Sequence, residues 1–475
     1  MEPQRLFDIS DQVPVLRDLD GMAPLLRSMD RSTWRRHQHV WRTARTFALE
    51  AIWPNALAYE QAMDRDPWYV DTDFLVAAGQ AGLLSMSCFR SLGGLGLGAT
   101  AASLVMEELC AGCAGLANLI GAHHLGLIGL LLSTNLGLSA RIQREVVAGA
   151  RTGRPVLLAA AVTEPLAGSD VEDTRFMATA RIGCVARREP GGYRLSGSKV
   201  FISNGSFARY VMVAAALDRK RPLETWTMFM VDSTASGFSV PRVEHKMGMK
   251  ANPAAELHLD EVFVPDSDVV SAEVGDGMAG TEVVLGASRG PVAAIATGIA
   301  RGAVERFLHF ATVTERDGRP LIADAGIQEA VASALQTVGL CRSTYLNGAL
   351  CFDRHGHGVL TNSPMIELFR LPFSGRLAEV LSRTPAGRAR IKERLDAQVD
   401  PDGVDRTLAA ASLAKAACSE LALDVISGLM DLMGPAALEP EWGLEKAWRD
   451  AKLTQIYEGT NQLNRLCLYE RGVGL

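Results

Sequence analysis

The chain has 475 residues, of which 48% are hydrophobic, and a formal net charge of −6. This length suffices for about three domains of ~150 residues with a large core, and the acidic balance, with no basic run interleaved with aromatic residues, argues against a nucleic-acid partner. Eight scattered cysteines and a mixed-charge start without a basic-then-apolar leader argue against secretion, so we expect reduced thiols and a cytoplasmic protein.

The first part of the chain has a helical pattern. From Ser32 to about Gly153 the apolar residues recur at helical spacing, which predicts a helical domain over residues 1–155. The glycine-rich run 93–98 is superficially similar to a phosphate-binding loop, but it does not lie in a βαβ repeat. We interpret this run as a connector.

Two features of this region raise the questions of a metal site and of a membrane span. Cys110-Ala111-Gly112-Cys113 has redox or metal spacing but no second CxxC motif, and the histidine pairs accompany no HExxH motif. We therefore expect no metal site and two buried cysteines. Residues 111–140 contain no Asp, Glu, Lys or Arg and exceed the ~20 residues that cross a bilayer. Their six glycines and several polar residues favour a helix buried in a soluble domain over a membrane span.

After Pro155 the pattern changes to short runs that alternate or are β-branched, separated by turn residues. This pattern predicts a β-domain over residues 156–270. Gly191-Gly192 and Asn204-Gly205 supply positive-φ positions for tight turns. The predicted strands are Val156–Val162, Tyr210–Leu217, Trp226–Val231 and Glu256–Val264.

Beyond Pro265 the helical period returns, and it predicts a C-terminal helical domain over residues 271–475. The period is clearest in Ile327, Val331, Leu335 and Val338, and again in the alanine-rich run from Leu408 to Met433.

Near the end of the chain, Tyr457-Glu458-Gly459-Thr460-Asn461-Gln462 places one carboxylate in a glycine-relaxed turn before a plausible helix N-cap at Thr460. A helical run, Trp448–Ile456, precedes the turn and leucines at helical spacing follow it, so we predict that Glu458 lies where two helices meet. A carboxylate held there can act as a general base. Backbone N–H groups at the start of the second helix can stabilise a developing oxyanion. By itself the motif also fits an ordinary turn and cap.

This turn and three other motifs, in the same order along the chain, resemble the acyl-CoA dehydrogenase family. The other motifs are Thr163–Asp170, Gly197–Gly205, and Lys246–Lys250 followed by Glu256–Pro265, and the resemblance covers roughly residues 75–471. It implies an α+β fold with an N-terminal all-α domain, a middle β-barrel or β-sandwich domain and a C-terminal four-helix-bundle domain.

The resemblance also implies FAD as cofactor and the α,β-dehydrogenation of an acyl thioester, bound to coenzyme A or to a carrier protein. Glu458 is then expected to abstract the α-proton while its own backbone N–H donates to the thioester oxygen, and hydride passes to FAD. A separate electron-transfer flavoprotein is the expected electron acceptor. Hydride chemistry needs such a cofactor because no side chain accepts hydride.

Carried onto this sequence, the family motifs imply roles for particular residues. Arg316 is expected to reach the FAD pyrophosphate from a neighbouring subunit, which implies a homodimer or homotetramer. Ser169, Arg289 and Gly459 are expected to contact the substrate. The residues expected to bind FAD are Thr163, Ser169, Phe201, Ser203, Arg316, Thr460 and Gln462.

The chain departs from the family pattern in several places. Where relatives have an aromatic-glycine pair and a Gln-x-x-Gly-Gly loop, this chain has Gly318–Leu321 and Asp431–Pro435, so a carboxylate at Asp431 near a diphosphate needs a compensating cation such as Arg319. Asn252 and Ala254 also replace hydroxyl residues.

An insert near residues 353–405 lengthens the usual connection between two long helices. We interpret it as a small helical elaboration with a solvated basic face; a lid or a carrier-docking patch is the alternative. Its basic residues include Arg370, Arg376, Arg383, Arg388, Arg390, Lys392 and Arg394.

Two other functions stay open. A flavin oxidase or monooxygenase can share the fold, although retention of Glu458 argues against the monooxygenase. A non-catalytic member can keep the fold without the cofactor.

Overall fold

The computed structural model describes residues 29–362, 377, 379–400 and 402–473. The described chain starts in helices that its own side chains cap: Asp30 accepts hydrogen bonds from the N–H groups of Ser32 and Thr33, donors that a helix start leaves free. The N-terminal helices are α1 (Arg31–Phe47), α2 (Ala56–Arg65), α3 (Thr72–Gln80), α4 (Ala99–Gly112), α5 (Ala114–Leu131) and α6 (Leu136–Arg151). A π-helical turn, Ala48–Ile52, extends α1, and the 3₁₀ turn Arg90–Leu92 precedes the glycine-rich connector.

Helix α5 lies against the first strand, and its glycines allow the close approach. A Cβ on Gly126 would lie 2.8 Å from the backbone nitrogen of Ala159, so a larger residue does not fit there. Most residues of α5 are buried. By length and composition alone, α5, Gly277–Val313 and Gly403–Leu438 are each long and apolar enough to cross a membrane. The absence of a span therefore stays a prediction.

Between the helical regions the described residues form a seven-stranded sheet. Its order is β1-β4-β2-β3-β7-β6, with β5 paired to β4. The strands are β1 (Leu158–Ala161), β2 (Val185–Glu189), β3 (Gly192–Ser203), β4 (Tyr210–Ala216), β5 (Trp226–Asp232), β6 (Phe238–Val243) and β7 (Ala254–Pro265), with single-turn helices α7 (Thr174–Met177) and α8 (Pro222–Thr225) between them. The predicted first strand is longer than β1, and β2, β3 and β6 are additional to the four predicted strands.

Both faces of the sheet are covered, as β4 shows. The strand is buried along its whole length, and alternate residues point to opposite faces. Met212 and Ala214 pack in one cluster with Leu130 of α5, whereas Val211 and Val213 pack in another with residues of the strands and of the loops that join them. The helical side chains thus close one face, and the curled sheet itself encloses the other.

The C-terminal region is a bundle around one long helix. Its helices are α9 (Gly277–Val313), α10 (Ala325–His355), α11 (Pro385–Asp396), α12 (Gly403–Met433), α13 (Leu444–Thr454) and α14 (Asn461–Val473), with a short hairpin of β8 (Glu315–Arg316) and β9 (Arg319–Pro320) after α9. Helix α9 packs against α4, α10 and α12. The largest core cluster therefore joins both helical regions, and the predicted α+β architecture is confirmed.

The insert is anchored by an arginine that the sequence assigned to a solvated face. The side chain of Arg388 is buried and donates to the carbonyls of Ser382, Asp266 and Val269 at 2.8, 3.0 and 3.3 Å. This ties α11 to the segment that follows β7. Arg383, Arg390 and Arg394 are exposed, whereas Arg370 and Arg376 lie outside the described residues.

The sequence raised the question of a metal site at Cys110 and Cys113 and predicted that both cysteines are buried. Cys110 and Cys113 are buried free thiols. In the described part of the chain, no group of three or more His, Cys, Asp or Glu side chains is placed to hold a metal ion.

Candidate active site

The predicted base lies in a turn between α13 and α14. Glu458 has a φ of 56° and Gly459 a φ of 74°, so both residues adopt the left-handed conformation. For a glutamate this costs on the order of 1–2 kcal/mol, and such strain persists only where the surrounding structure holds it. The contacts around the turn therefore determine where the carboxylate points.

The carbonyl groups of the turn are held by buried donors. The carbonyl of Glu458 accepts hydrogen bonds from Arg289 Nε and Asn464 Nδ2, each at 3.3 Å. The carbonyl of Gly459 accepts from Lys415 Nζ at 2.6 Å and from Asn464 Nδ2 at 2.9 Å. Arg289 is 1% exposed and Lys415 is fully buried. Two cations beneath the turn thus fix two successive peptide groups.

The N–H groups of the turn face the opposite side, where the 3₁₀ turn Ser169–Glu172 lies. Thr460 N donates to Ser169 Oγ at 3.5 Å, and the Gly459 N–H faces the Glu172 carboxylate and stabilises its charged form. Within the described residues, the N–H of Glu458 has no acceptor. This free donor is the group that the sequence predicts for the thioester oxygen.

The Glu458 carboxylate sits in a setting that makes it a stronger base. Burial raises the pKa of Glu458, while a hydrogen bond from Ser288 Oγ and the charges of Arg289 and Lys415 act against that rise. The Ser288 hydroxyl donates to Glu458 Oε2 at 2.6 Å. The pKa of Glu458 is raised overall, because few hydrogen-bond donors offset the desolvation of the carboxylate.

A second carboxylate, Glu172, lies beside the base. Burial raises the pKa of Glu172 to about 7, with the charge of Glu458 adding to the rise and that of Arg289 opposing it. Glu172 Oε2 is 3.6 Å from Arg289 Nη2, and among the described residues neither atom has a hydrogen-bond partner. Burial, and then the charge of Arg289, lower the pKa of Lys415 to about 7. Buried groups left under-satisfied in this way are typical of functional sites.

A loop and a strand of the sheet form the wall where FAD is expected. Val200 N donates to the carbonyl of Thr163 at 3.0 Å, so the loop after β1 runs along β3. A buried ion pair locks the two together, because Lys199 Nζ donates to Glu164 Oε1 at 2.8 Å and to the Val162 carbonyl at 2.9 Å. The wall is therefore rigid before any ligand arrives.

The residues of this wall fit a flat aromatic cofactor. The ladder between β3 and β7 shifts register between Lys199 and Ile202, and within that irregularity Phe201 has a φ of 60° and is 62% exposed. Thr163 and Ser203 are partly exposed nearby on the loop and strand. An exposed aromatic ring on a backbone of positive φ, with hydroxyl residues on the same strand and on the adjoining loop, suits contact with the flavin ring of FAD.

The structure joins five of the ten predicted site residues by direct contacts and places the others elsewhere. Ser169, Gly459, Thr460 and Arg289 surround the base, and Thr460 Oγ1 accepts the N–H of Leu463 at 3.3 Å, as expected of a cap at α14. Arg289 contacts the turn itself and Ser412 Oγ, at 2.9 Å, rather than open space. Gln462 is exposed on the first turn of α14.

Arg316 lies far from the base of its own chain. It is exposed in β8, just beyond the end of α9, whereas Arg289 lies near the start of that helix. At about 1.5 Å per residue, the two arginines are separated by about 35 Å along the helix axis. Arg316 can then serve this kind of site only in another subunit, which stays a prediction.

Asn252, one of the departures from the family pattern, forms hydrogen bonds with two other asparagines. It accepts from Asn118 Nδ2 at 3.0 Å and donates to Asn204 Oδ1 at 2.9 Å. These bonds tie α5 to the loop before β7 and the end of β3. Ala254 is buried in β7.

Four residues that contact Glu458 or the turn that carries it were not identified from the sequence. Two lie next to or near predicted residues: Ser288 adjoins Arg289, and Glu172 follows Ser169 by three positions. Lys415 had a signal of its own, since it is the only Lys or Arg in the alanine-rich stretch 407–433. Asn464 carries no such mark, because it is one polar residue on an amphipathic helix.

Three family models match the chain in the order of its elements. The acyl-CoA dehydrogenase N-terminal domain matches residues 35–135, the middle domain residues 159–262, and the C-terminal domain residues 275–368 and 373–473.

Individual relatives agree with these matches. Cyclohex-1-ene-1-carbonyl-CoA dehydrogenase of Geobacter metallireducens is 30% identical over 385 residues, 81% of this chain and 85% of the relative. An acyl-CoA dehydrogenase of Bacillus subtilis is 26% identical over 89% of this chain and 94% of the relative. The structure of butyryl-CoA dehydrogenase from Megasphaera elsdenii is 22% identical and superposes with a TM-score of 0.72, covering 92% of this chain and 98% of that one.

Proposed function

The chain belongs to the acyl-CoA dehydrogenase family, and from this premise we propose that it removes the α-proton of an acyl-CoA thioester with Glu458 as the base. It is an FAD-dependent oxidoreductase that acts on CH–CH groups, as expected from the sequence motifs. The observation that carries the proposal is the strained turn at Glu458, which presents a carboxylate of raised pKa and a free backbone N–H side by side.

The chemistry divides between the chain and its cofactor. The bond from the α-carbon to hydrogen breaks, its proton passes to the Glu458 carboxylate, and the electron pair becomes the new double bond to the β-carbon. FAD, when bound, supplies the acceptor for the hydride that leaves the β-carbon. The Glu458 N–H donates to the thioester oxygen as negative charge develops there. Burial around the turn excludes the water that would solvate the carboxylate.

The wall of loop and strand is proposed to hold the flavin. Thr163 and Ser203 offer hydroxyl groups, and Phe201 offers an exposed ring. Ser169 and Thr460 lie where this wall meets the catalytic turn. These residues position the cofactor beside the base without taking part in proton transfer.

Substitution of the base tests the proposal. Glu458→Gln keeps the size of the side chain and removes its ability to accept the α-proton, so the rate of flavin reduction after anaerobic mixing with acyl-CoA should fall about 10²–10⁴-fold. FAD should stay bound. Glu470→Gln, the same change at a carboxylate on α14 that pairs with Arg175 at 3.3 Å, is the matched control. Reduction of Glu458→Gln at the wild-type rate would exclude Glu458 as the base.

The acyl group is best identified with a substrate panel. Two of the similar proteins are named for cyclohexene- and cyclohexane-carbonyl-CoA, which supports including alicyclic thioesters beside straight, branched and aromatic ones. Loss of flavin absorbance reports the reaction, and a carrier-protein thioester tests the alternative carrier. Rapid oxygen uptake by the reduced enzyme would instead support an oxidase, and a protein that stays colourless with FAD would support a non-catalytic role.

Electron transfer and assembly extend the proposal. We propose a separate electron-transfer flavoprotein as acceptor and a cytoplasmic homo-oligomer, dimer or tetramer, in which Arg316 of one subunit reaches the FAD of another. The distance of Arg316 from its own turn supports the last point. Arg316→Ala should weaken FAD binding while the rate of flavin reduction in the FAD-bound fraction stays unchanged.

A further inference from the structure

A buried lysine contacts the catalytic turn from the side opposite the 3₁₀ turn Ser169–Glu172. Lys415 on α12 is fully buried, and its ammonium donates to the Gly459 carbonyl at 2.6 Å and to Asn461 Oδ1 at 3.0 Å. Both acceptors are neutral. A lysine buried in this way is costly unless a carboxylate pairs with it. Stability alone therefore does not explain why an ammonium occupies this place.

Two successive peptide groups of the turn each have a side-chain partner at the carbonyl and another at the N–H. The peptide between Glu458 and Gly459 has Arg289 on its carbonyl and Glu172 at its N–H. The following peptide has Lys415 on its carbonyl and Ser169 at its N–H. Each plane thus has a cation on one side and an acceptor from the turn Ser169–Glu172 on the other.

We propose that Lys415 is a positioning residue for Glu458: by fixing the Gly459 carbonyl it holds the strained turn in the orientation that aims the carboxylate and the Glu458 N–H at the thioester. The inference rests on the proposed role of Glu458. Glu458 and Gly459 both have positive φ, so loss of the shorter of the two hydrogen bonds on the Gly459 carbonyl, at 2.6 Å from Lys415 against 2.9 Å from Asn464, allows the turn to relax toward unstrained backbone angles. A displacement of about 1 Å at a reacting group costs on the order of 10²-fold in rate.

Lys415→Met tests this role with little danger to folding. The Gly459 carbonyl keeps its bond from Asn464 Nδ2 at 2.9 Å, and Asn461 Oδ1 keeps the one from Ser419 Oγ at 3.1 Å. An apolar side chain of similar length in place of a buried charge is often tolerated. We expect flavin reduction at saturating acyl-CoA to slow about 10²-fold, while the dissociation constant of the thioester changes less than about threefold and FAD stays bound. Lys415→Gln, a neutral donor, should recover part of the rate.

The pH profile separates positioning from a merely structural role. The positive charge of Lys415 lowers the pKa of Glu458, so its removal should move the acid limb of flavin reduction to higher pH. The matched control is Lys446→Met, because Lys446 is a largely buried lysine that contacts Asp450 at 2.5 Å rather than the turn. Lys446→Met should lower the melting temperature and leave both the rate, within about threefold, and the acid limb in place.

Two results would overturn the inference. One is a Lys415→Met enzyme that reduces its flavin within about threefold of the wild-type rate with an unmoved acid limb. The other is a loss of rate in Lys415→Met that only parallels a loss of bound FAD and a lowered melting temperature. Either result, obtained while Glu458→Gln is inactive, would remove the role of Lys415 and leave the proposed function standing.

Discussion

Two buried clusters of acidic and basic side chains lie along the same helix, α9, and hold their charges in different ways. They are separated by about 18 Å along its axis, from Arg289 to Arg301. The catalytic cluster comprises Ser288, Arg289, Glu172, Lys415 and Glu458, and the structural cluster comprises Glu107, Glu108, Arg301, Glu305, Arg342 and Tyr345.

In the structural cluster, two carboxylates are supplied with donors. Glu107 accepts the Tyr345 hydroxyl at 2.5 Å and Arg342 Nε at 2.9 Å. Burial raises the pKa of Glu107, but Arg342 and Arg301 outweigh it and bring the value down to about 2. Glu108 accepts both terminal nitrogens of Arg301, at 2.7 and 2.8 Å. These carboxylates stay charged and join α4 to α9 and α10.

In the catalytic cluster, the effect of burial on the pKa of each carboxyl outweighs the effect of its cationic and hydrogen-bonding neighbours. The pKa of Glu458 is raised, that of Glu172 rises to about 7, and the nearest atoms of Arg289 and Glu172 stop 3.6 Å apart. Both clusters use arginine and glutamate at similar depth, so the number of donors aimed at each carboxylate makes the difference. A carboxylate that must take up a proton cannot be saturated with donors.

The largest expected effect comes from removing a saturated charge. Glu107→Gln should lower the free energy of unfolding by about 3–5 kcal/mol, because it removes a buried negative charge that both Arg342 and Arg301 contact. The folded pKa lies below the 4.5 of the unfolded carboxyl, so the stabilisation is complete above about pH 4.5 and is lost as the pH falls toward 2. The difference in the free energy of unfolding between variant and wild type, measured by urea unfolding, should therefore be smaller at pH 3 than at pH 7.

The control for this prediction is Glu420→Gln, which breaks a more exposed pair with Arg465 and should cost less than about 1 kcal/mol. The rate of flavin reduction in folded Glu107→Gln should match the wild type. A large loss of rate at unchanged stability would mean that the two clusters are not separate in function.

Next in size is the effect of a methyl group in the catalytic turn. Gly459→Ala adds a Cβ 2.8 Å from Glu172 Oε2 and 2.9 Å from Leu463 Cδ2, at a φ of 74°, so either the turn or Glu172 must move. We expect flavin reduction to slow about 10–10²-fold, with a smaller change in melting temperature than in Glu107→Gln. Gly428→Ala on α12, where a Cβ meets nothing within 4 Å, should change neither quantity. An unchanged rate in Gly459→Ala would show that the turn tolerates displacement.

The two clusters also differ in how far the sequence predicts them. The turn at Glu458 is local, since glycine, cap and carboxylate are adjacent in the chain and their spacing indicates the geometry. Its partners come from α9, α12 and the loop after β1, and no local pattern joins them. In the sequence, Lys415 stands out only as the lone Lys or Arg of the alanine-rich stretch 407–433, and Arg388 of the insert was assigned to solvent because its carbonyl partners are remote in the chain. The apolar runs that predict β4 and β5 are likewise local, whereas β2 and β6 contain fewer apolar residues and are more exposed.

A smaller effect is expected from the hydroxyl that contacts the base. Ser288 Oγ donates to the charged form of Glu458 and thereby lowers its pKa, against the larger rise from burial. Ser288→Ala should raise the pKa of Glu458 further, so the acid limb of flavin reduction should move to higher pH by about one unit. Stopped-flow reduction from pH 5 to pH 9 measures the shift. Ser412→Ala, which removes only the partner of Arg289, is the control, and a limb that shifts equally in both variants would contradict a specific role for Ser288.

The smallest predicted effect has the opposite sign and lies within the structural cluster. Glu305 Oε1 has no hydrogen-bond partner among the described residues and lies 3.5 Å from Arg301 Nε, and burial raises the pKa of Glu305. Below about pH 4.5 the Glu305 carboxyl is protonated in both the folded and the unfolded state. As the pH rises from there toward the folded pKa, the unfolded chain releases this proton while the folded chain keeps it, so folding becomes less favourable. Glu305→Gln removes this penalty, so it should match the wild type in urea unfolding at pH 4 and exceed it by on the order of 1 kcal/mol at pH 8. A loss of stability at pH 8 comparable to that of Glu107→Gln would show instead that Arg301 needs all three carboxylates, and donor number would then fail to separate the two clusters.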